Sequence, residues 1–345
     1  MTNESLDPTA VTEPPPFVVD GRYRRFVSFL VLRYGILFPG FVVVALFGVG
    51  SAVINGFASR DNVDSILILA TFLGVAASGQ TLVIILGGID LSIASGIGLG
   101  EVFTSVEYSR GMPLWQICFA LAGLGIAVGF VNGWTSSYFR VHPLIVTLGV
   151  GFAISGGTLI WTSGGAAQGI SPPALASIVS LGSTIGPVPV PPIVLVWLGV
   201  AIILLVIQKW SRIGREVYAL GSNPIAARLA LARNKTAWIF VYALSGLAAV
   251  MTGVLLAGFS GGANFTAGAP YLFDSIAAVV VGGTSLLGGT GGYGRTILGS
   301  LIIIEITTIL VGFSFGSALQ ETLLGVLIIV LAALTGREKH VRSRV

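Results

Sequence analysis

The few residues of this sequence that could do covalent chemistry do not assemble into a catalytic set. Residues 258–262 read Gly-Phe-Ser-Gly-Gly and match the pattern around a nucleophilic serine, but such a match is common by chance in a chain with 48 glycines. The only histidines are His142 and His340, and the sequence places neither of them near Ser260. No Lys follows a Gly, so we expect no phosphate-cradling loop and no ATPase in this chain, which is predicted to be a transport subunit and not an enzyme.

Metal, cofactor and nucleic-acid chemistry are not expected either. The single Cys118 lies in an apolar segment, which excludes a disulfide framework and a Cys-ligated metal site, and no cofactor is predicted. The sequence pI is near 9.4, but the basic residues follow the pattern of a membrane topology, so no nucleic-acid partner is expected.

The polar residues of greatest interest interrupt apolar segments. Asp90 follows two glycines, so a helix is expected to break there and restart with Asp90 or Ser92 as its cap, either as a plain structural cap or as a contact for a polar solute. Glu305 lies in the middle of an apolar segment, where an ionised carboxylate facing lipid costs at least about 2.5 kcal/mol. It is therefore expected to face a cavity, to be paired or to be protonated. Asn132 is a weaker candidate, because Asn in membranes often joins helices.

The composition assigns these residues to a membrane protein. Hydrophobic residues make up 54% of the chain and charged residues only 9%, against about 25% charged in globular proteins. The sequence predicts an all-α polytopic fold with about ten transmembrane helices. The predicted spans are 34–54, 65–86, 91–108, 114–138, 144–161, 191–208, 237–258, 273–289, 296–313 and 317–334.

Two features organise these predicted spans. All Lys and Arg residues except Arg60 and Arg110 fall on one side, so the positive-inside rule predicts that both termini are cytoplasmic. The predicted domains are a cytoplasmic tail over 1–33, a transmembrane domain over 34–335 and a cytoplasmic tail over 336–345. Two related helix sets around the central loop are a further hypothesis, since Gly-Gly segments occur in both halves.

Glycines and long loops add detail to this topology. Gly96 and Gly100, and likewise Gly125, Gly129 and Gly133, have the spacing of close helix contacts. The outer loop 162–190 is expected to be either a docking surface for an external partner or an inert surface or re-entrant loop.

The inner loop 209–235 carries the most specific local signal. Asn223 followed by Pro224 is typical of a helix start, and a helix of about 10 residues is predicted from there. Its alanines permit close approach of another surface, and Arg228 and Arg233 could pair with acidic groups of a partner. An interfacial helix resting on anionic lipid headgroups is the alternative.

These segments together resemble a known family. The sequence is similar to permeases of the ribose, xylose and galactofuranose type of ABC importer. The resemblance is carried in chain order by Gly87 to Ser92, Asn132-Gly133, Pro143 to Gly149, the loop 214–229, and Asp274 to Leu286.

The resemblance implies a type II importer-like fold, alternating access and no chemistry in this chain. It implies a cytoplasmic ABC ATPase, an extracytoplasmic solute-binding protein and a second, identical or paralogous permease as partners, in the lipid of the bacterial inner membrane. It also implies a small-molecule solute, most simply a monosaccharide. The residues expected to couple to the ATPase are Gly214, Arg215, Tyr218, Gly221, Asn223, Ala226, Ala227, Arg228 and Leu229. The residues expected along the substrate pathway are Asp90, Ser92, Asn132, Asp274 and Glu305.

The coupling helix departs from the family pattern at its end, and alternatives to this function and to this cargo stay open. The glycine that usually ends the coupling helix is Leu231 here. An ion-coupled secondary transporter is the alternative outside the family. Within the family, a nucleoside, a branched-chain amino acid or a signalling furanose is an alternative cargo.

Overall fold

The computed structural model of the chain describes residues 35–164 and 169–335, and it is all-α over that part. Extended pairing within the described ranges is limited to two isolated bridges, Ile170 with Gly262 and Ile185 with Val188. The predicted tails over 1–33 and 336–345 lie outside the described residues. The helices are α1 Leu37–Val53, α2 Arg60–Leu86, α3 Ile93–Ser109, α4 Leu114–Tyr138, α5 Pro143–Trp161, α6 Pro173–Val179, α7 Ile193–Trp210, α8 Arg212–Ser222, α9 Pro224–Leu229, α10 Asn234–Ser260, α11 Ala269–Val281, α12 Tyr293–Gly312 and α13 Ser317–Thr335.

Helix α2 is the central element of the fold. Nearly all of its apolar stretch is buried inside the protein, and it packs against α7, α8, α10, α11 and α12. A helix that is apolar on every side is typical of a position surrounded by other helices. The helices α4, α5 and α7 are equally apolar but mostly uncovered by protein, which fits a perimeter facing lipid.

The predicted glycine stripes are confirmed as close helix contacts. A Cβ on Gly129 would fall against the Tyr242 carbonyl oxygen, and one on Gly133 would lie 2.6 Å from the Ile239 Cα, so both glycines let α4 reach the backbone of α10. Gly96 and Gly100 on α3 contact a different part of α10 in the same way. Small residues therefore place α10 between α3 and α4, as expected for packing in lipid.

Each of the ten predicted spans overlaps a helix, but the count of ten spans stays a prediction. Among the described residues, six helices are long and apolar enough to cross a membrane: α2, α4, α5, α7, α10 and α12. The eighth window, 273–289, was misplaced, because α11 begins at Ala269 and ends at Val281. The amide of Gly283, in the left-handed conformation, donates to the Val280 carbonyl, and that of Thr284 donates to the Val279 carbonyl. This pairing ends the helix.

The outer loop folds onto the ends of α3 and α10. Leu175 of α6 is buried against Gly258 of α10, and the Ser171 amide donates to the Gly261 carbonyl at 3.3 Å. Gly169 packs against Ser105 of α3. The described part of this loop is therefore attached to the helix bundle, and its role as a docking surface stays a prediction.

Candidate functional site

The predicted helix start at Asn223 is observed. The Asn223 side-chain oxygen accepts from the backbone amides of Ile225 at 3.1 Å and Ala226 at 3.0 Å, and Pro224 occupies the first helical position. The predicted length of about 10 residues was wrong, because α9 ends at Leu229 after 6 residues. Leu231 stands where the resembled family has the glycine that ends the coupling helix. Its φ of 59° shows that this position adopts the left-handed conformation without a glycine.

Helix α8 precedes α9 and was missed by sequence reasoning. The Ser211 side chain caps its first turn by accepting from the Gly214 amide at 2.9 Å, and Arg212 pairs with Glu216 at 2.9 Å. Val217 and Leu220 are buried on one face. Together with Ile213 they recur at i, i+4 and i+7, which is the helical signal that the sequence contained.

Helix α8 packs against the glycine-rich loop 282–292 and the end of α2. The Tyr218 hydroxyl donates to the Gly291 carbonyl at 3.0 Å, and the Ser222 hydroxyl donates to the Gly289 carbonyl at 3.3 Å. A Cβ on Gly221 would fall against the Ile85 carbonyl oxygen. Burial raises the pKa of the Tyr218 phenol, while Arg295 opposes the shift, so the hydroxyl stays protonated and donates at neutral pH.

The outward side of α9 exposes large apolar side chains beside a cation. Ile225, Leu229 and Leu231 are 73%, 81% and 85% exposed, and Arg228 between them is exposed as well. Ala227 is buried towards the rest of the protein. The remaining predicted coupling residues divide in the same way: Gly214 is buried, whereas Arg215, Asn223 and Ala226 are exposed.

Asp90 lies at the centre of a buried polar network in the break between α2 and α3. Its carboxylate accepts from the Ser92 amide at 2.9 Å, the Ser92 hydroxyl at 2.6 Å and the Ser245 hydroxyl of α10 at 2.7 Å. The Asn132 side-chain amide of α4 donates to the Ser92 hydroxyl at 2.9 Å. The Gln80 side-chain oxygen accepts from the Asp90 amide at 3.3 Å. Three of the predicted pathway residues, Asp90, Ser92 and Asn132, are thus brought together, and helix α3 restarts at Ile93.

The other predicted pathway residues lie apart from this network. Glu305 is buried on α12, and its Oε2 has no hydrogen-bond partner within the described residues. Asp274 is half-buried on α11, which packs against α13. Sequence reasoning treated Glu101 only as an interruption of an apolar segment, yet it is fully buried on α3 and accepts from the Ser260 hydroxyl at 2.6 Å.

Apolar helices, a broken helix with a buried carboxylate, and a surface helix with exposed apolar side chains are features of a polytopic membrane protein. The family model described as branched-chain amino acid transport system / permease component matches residues 62–332. The chain belongs to this permease family.

Individual relatives agree with this assignment. The chain is 34% identical over 307 residues to a probable ABC transporter permease protein, YphD, of Escherichia coli strain K12, covering 89% of this chain and 90% of the relative. It is 35% identical over 293 residues to the ribose import permease protein RbsC of the same strain, covering 83% and 87%. It is 32% identical over 312 residues to the autoinducer 2 import system permease protein LsrC of Enterobacter sp. strain 638, covering 88% and 87%. No solved structure matches the chain. The resemblance to ABC importer permeases is therefore confirmed.

Proposed function

We propose that the chain is the permease subunit of an ATP-driven, binding-protein-dependent importer of a small polar solute, with a monosaccharide as the favoured cargo. The observation that carries the proposal is the α8–α9 segment, a surface helix pair within a chain whose relatives are import permeases. We also propose that both termini and this segment lie in the cytoplasm, because the positive-inside rule assigns the side richest in Lys and Arg to the cytoplasm.

The exposed side of α9 fits a protein partner. Ile225, Leu229 and Leu231 form an apolar surface next to Arg228. Exposed apolar groups beside a cation favour a complementary protein groove with acidic groups at its rim. In the proposed complex this groove belongs to an ABC ATPase subunit, and Asn223 to Leu229 are the residues seated in it.

A continuous set of contacts leads from α8 to the Asp90 network. Gly221 of α8 lies against the carbonyl of Ile85 at the end of α2. The Gly289 amide donates to the same carbonyl at 2.8 Å, and a Cβ on Gly288 would lie 3.2 Å from the Gly87 Cα. Movement of α8 driven by the ATPase is therefore proposed to reach the break that contains Asp90. Such a movement is biased in one direction only if the ATPase binds two conformations of the permease with different affinities.

The substrate pathway is proposed to include Asp90, Ser92, Asn132, Asp274 and Glu305, and two permease subunits are proposed to form it. In the structure the polar atoms of the Asp90 network bind mostly one another. Direct solute contact by these atoms then requires a second conformation, as alternating access provides.

The proposal is tested by co-expressing the chain with an ABC ATPase subunit and measuring co-purification and solute-dependent ATP hydrolysis in proteoliposomes. A charge reversal of Arg228 combined with Leu229→Asp is expected to reduce the co-purified ATPase by about tenfold, because both side chains face the partner. The matched control is Lys235→Glu, an exposed cation outside α8 and α9, which should leave co-purification unchanged.

Two outcomes would overturn the proposal. One is uptake through this chain in cells that lack any such ATPase. The other is uptake abolished by collapse of ion gradients but insensitive to the Arg228 and Leu229 substitutions, which would identify an ion-coupled secondary transporter. Binding-protein screening with ribose, signalling furanoses, nucleosides and branched-chain amino acids decides the cargo.

A further inference from the structure

A cavity of about 620 Å³, widely open to the surface, lies where α7, α8 and α12 meet, and the function proposed above does not use it. Its walls come from the last turn of α7, from Tyr218 of α8, from the first turn of α12 and the glycines before it, and from Ile36 just before α1. In the proposed topology this is the level at which the cytoplasmic leaflet meets water.

The cavity is electrostatically suited to an anion. Lys209 and Arg295 both line it, and none of the described residues that line it is acidic. Helix α12, with 20 residues, begins at Tyr293, between the lining residues Gly292 and Gly294, so the positive end of its dipole adds to the two cations. Of these two cations, Lys209 is exposed and Arg295 is half-buried.

Gln208, which lines the cavity, carries a buried donor without a partner among the described residues. Its side-chain oxygen accepts from the Tyr293 amide at 3.0 Å, which fixes the orientation of the amide group and makes Nε2 a donor. Gln208 is only 8% exposed, lines the cavity, and its Nε2 has no acceptor in the part of the chain that the structure describes. A buried donor of this kind normally has a partner, since leaving it unpaired costs free energy.

The rest of the wall is apolar and carries features of a membrane interface. Ile36 and Leu205 contribute hydrocarbon surface. Trp210 is 67% exposed and lies next to Lys209, whose ammonium is 5.7 Å from the centre of the indole ring. Trp and Lys side by side at a helix end are typical of the boundary between lipid and water. A ligand that matches both parts of the wall has an anionic head and an apolar body.

We propose that this cavity binds the headgroup of an anionic phospholipid from the cytoplasmic leaflet. Lys209 and Arg295 bind the phosphate, a shift of the Gln208 side chain lets its amide donate to it as well, and the apolar wall of Ile36 and Leu205 holds the first part of the acyl chains. The inference rests on the membrane orientation in the proposed function, but not on the ATPase. Because Tyr218 and the loop 282–292 share this wall, the bound lipid contacts the elements that join α8 to the helix bundle.

The test is native mass spectrometry of the purified full chain reconstituted with phosphatidylglycerol and phosphatidylcholine. The variant Lys209→Gln/Arg295→Gln is expected to bind phosphatidylglycerol roughly 30-fold more weakly than wild type. Each cation near the membrane surface strengthens the binding of an anionic lipid by about fivefold, and the variant removes two of them. The control Arg140→Gln/Lys235→Gln removes two cations from the same predicted side outside the cavity and should keep wild-type binding. The variant Lys209→Arg/Arg295→Lys keeps both charges and is expected to retain the lipid.

The outcomes are decisive in either direction. Equal loss of phosphatidylglycerol in the cavity variant and the Arg140/Lys235 control, or equal binding of phosphatidylcholine, would overturn the inference. Displacement of the lipid by inorganic phosphate at matched ionic strength would assign the site to a free anion and would overturn it as well. All of these measurements use the chain without an ATPase. A failed lipid test therefore leaves the transport proposal intact, and a failed ATPase test leaves the lipid result interpretable.

Discussion

The glycine-containing breaks after α2 and after α11 are held in different ways. The first, residues 87–92, separates α2 from α3, and the second, residues 282–292, separates α11 from α12. Both begin with the same helix end. Gly87 and Gly283 take up the left-handed conformation, and the next amide in each case donates to a carbonyl five residues back.

After that shared beginning the two breaks diverge. The first is fixed by side chains from the surrounding helices, including Gln80 of α2, Asn132 of α4, Thr147 of α5 and Ser245 of α10. The second contains five glycines with positive φ and is fixed largely through its backbone, which binds α8 and the end of α2. Specific side chains therefore lock the first break into the bundle, whereas close packing attaches the second to the surface helices.

The largest expected effect comes from removing the carboxylate that holds the first break. In Asp90→Ala, the Ser92 amide, the Ser92 hydroxyl and the Ser245 hydroxyl lose their acceptor inside the protein. Since buried donors that are left without an acceptor are costly, we expect the free energy of unfolding to fall by about 4 kcal/mol. Equilibrium unfolding in mixed micelles measures the loss.

The control for Asp90 is Asp61→Ala, which removes an exposed carboxylate from the first turn of the same helix α2. It should change the free energy of unfolding by less than about 1 kcal/mol. Similar losses in the two variants would mean that the hydrogen bonds to Asp90 do not hold the first break.

The second break is disturbed by adding one methyl group. Gly289 has a φ of 74°, and a Cβ there would lie 2.6 Å from the Ser222 Cα of α8. Gly289→Ala is therefore expected to cost about 2 kcal/mol from backbone strain and overpacking, and to displace α8. We expect both a lower unfolding free energy and a lower stimulation of ATP hydrolysis in the proposed complex.

Gly56→Ala separates strain from packing. Gly56 has a φ of 80°, and a Cβ at this position would meet no other atom within 4 Å, so only the strain of about 1 kcal/mol should appear there. If both Ala variants lower stability equally and neither affects ATP hydrolysis, the contact between Gly289 and α8 has no role in coupling.

Removing a single hydroxyl tests the link between α8 and the second break more gently. Tyr218→Phe loses the hydrogen bond to the Gly291 carbonyl but keeps the ring in place. The expected loss in unfolding free energy is about 1 kcal/mol. Tyr138→Phe, at an exposed tyrosine, is the control and should show no loss. An equal change in the free energy of unfolding of both variants would show that this hydrogen bond does not help to hold α8.

The sequence was most informative where the cause of a structure is local. The cap at Asn223, the break after Gly87 and the glycine stripes on α3 and α4 depend on neighbours in the chain or on residue size alone. The partners of Asp90 could not be predicted, because Ser245 and Asn132 come from distant helices and meet Asp90 only through packing. Helix α8 was missed although Ile213, Val217 and Leu220 have helical spacing, because the prediction for this loop rested on the helix start at Asn223 and on the charged residues.

Glu305 gives the smallest expected effect on stability and completes the comparison of the two breaks. The Asp90 carboxylate, within the first break, accepts from three hydrogen-bond donors, whereas Glu305, on the helix that follows the second break, has a buried Oε2 with no partner among the described residues. Glu305→Gln keeps the shape of the side chain but cannot ionise, so we expect the free energy of unfolding to change by less than about 0.5 kcal/mol. Uptake kinetics or substrate preference should nevertheless change, because a carboxylate without a protein partner is available to a polar solute.

Thr308→Val on the same helix removes a hydroxyl that is already bound to the Ile304 carbonyl and serves as the control. Unchanged transport by Glu305→Gln would take this carboxylate out of the proposed pathway and leave the polar network of the first break as its remaining buried part.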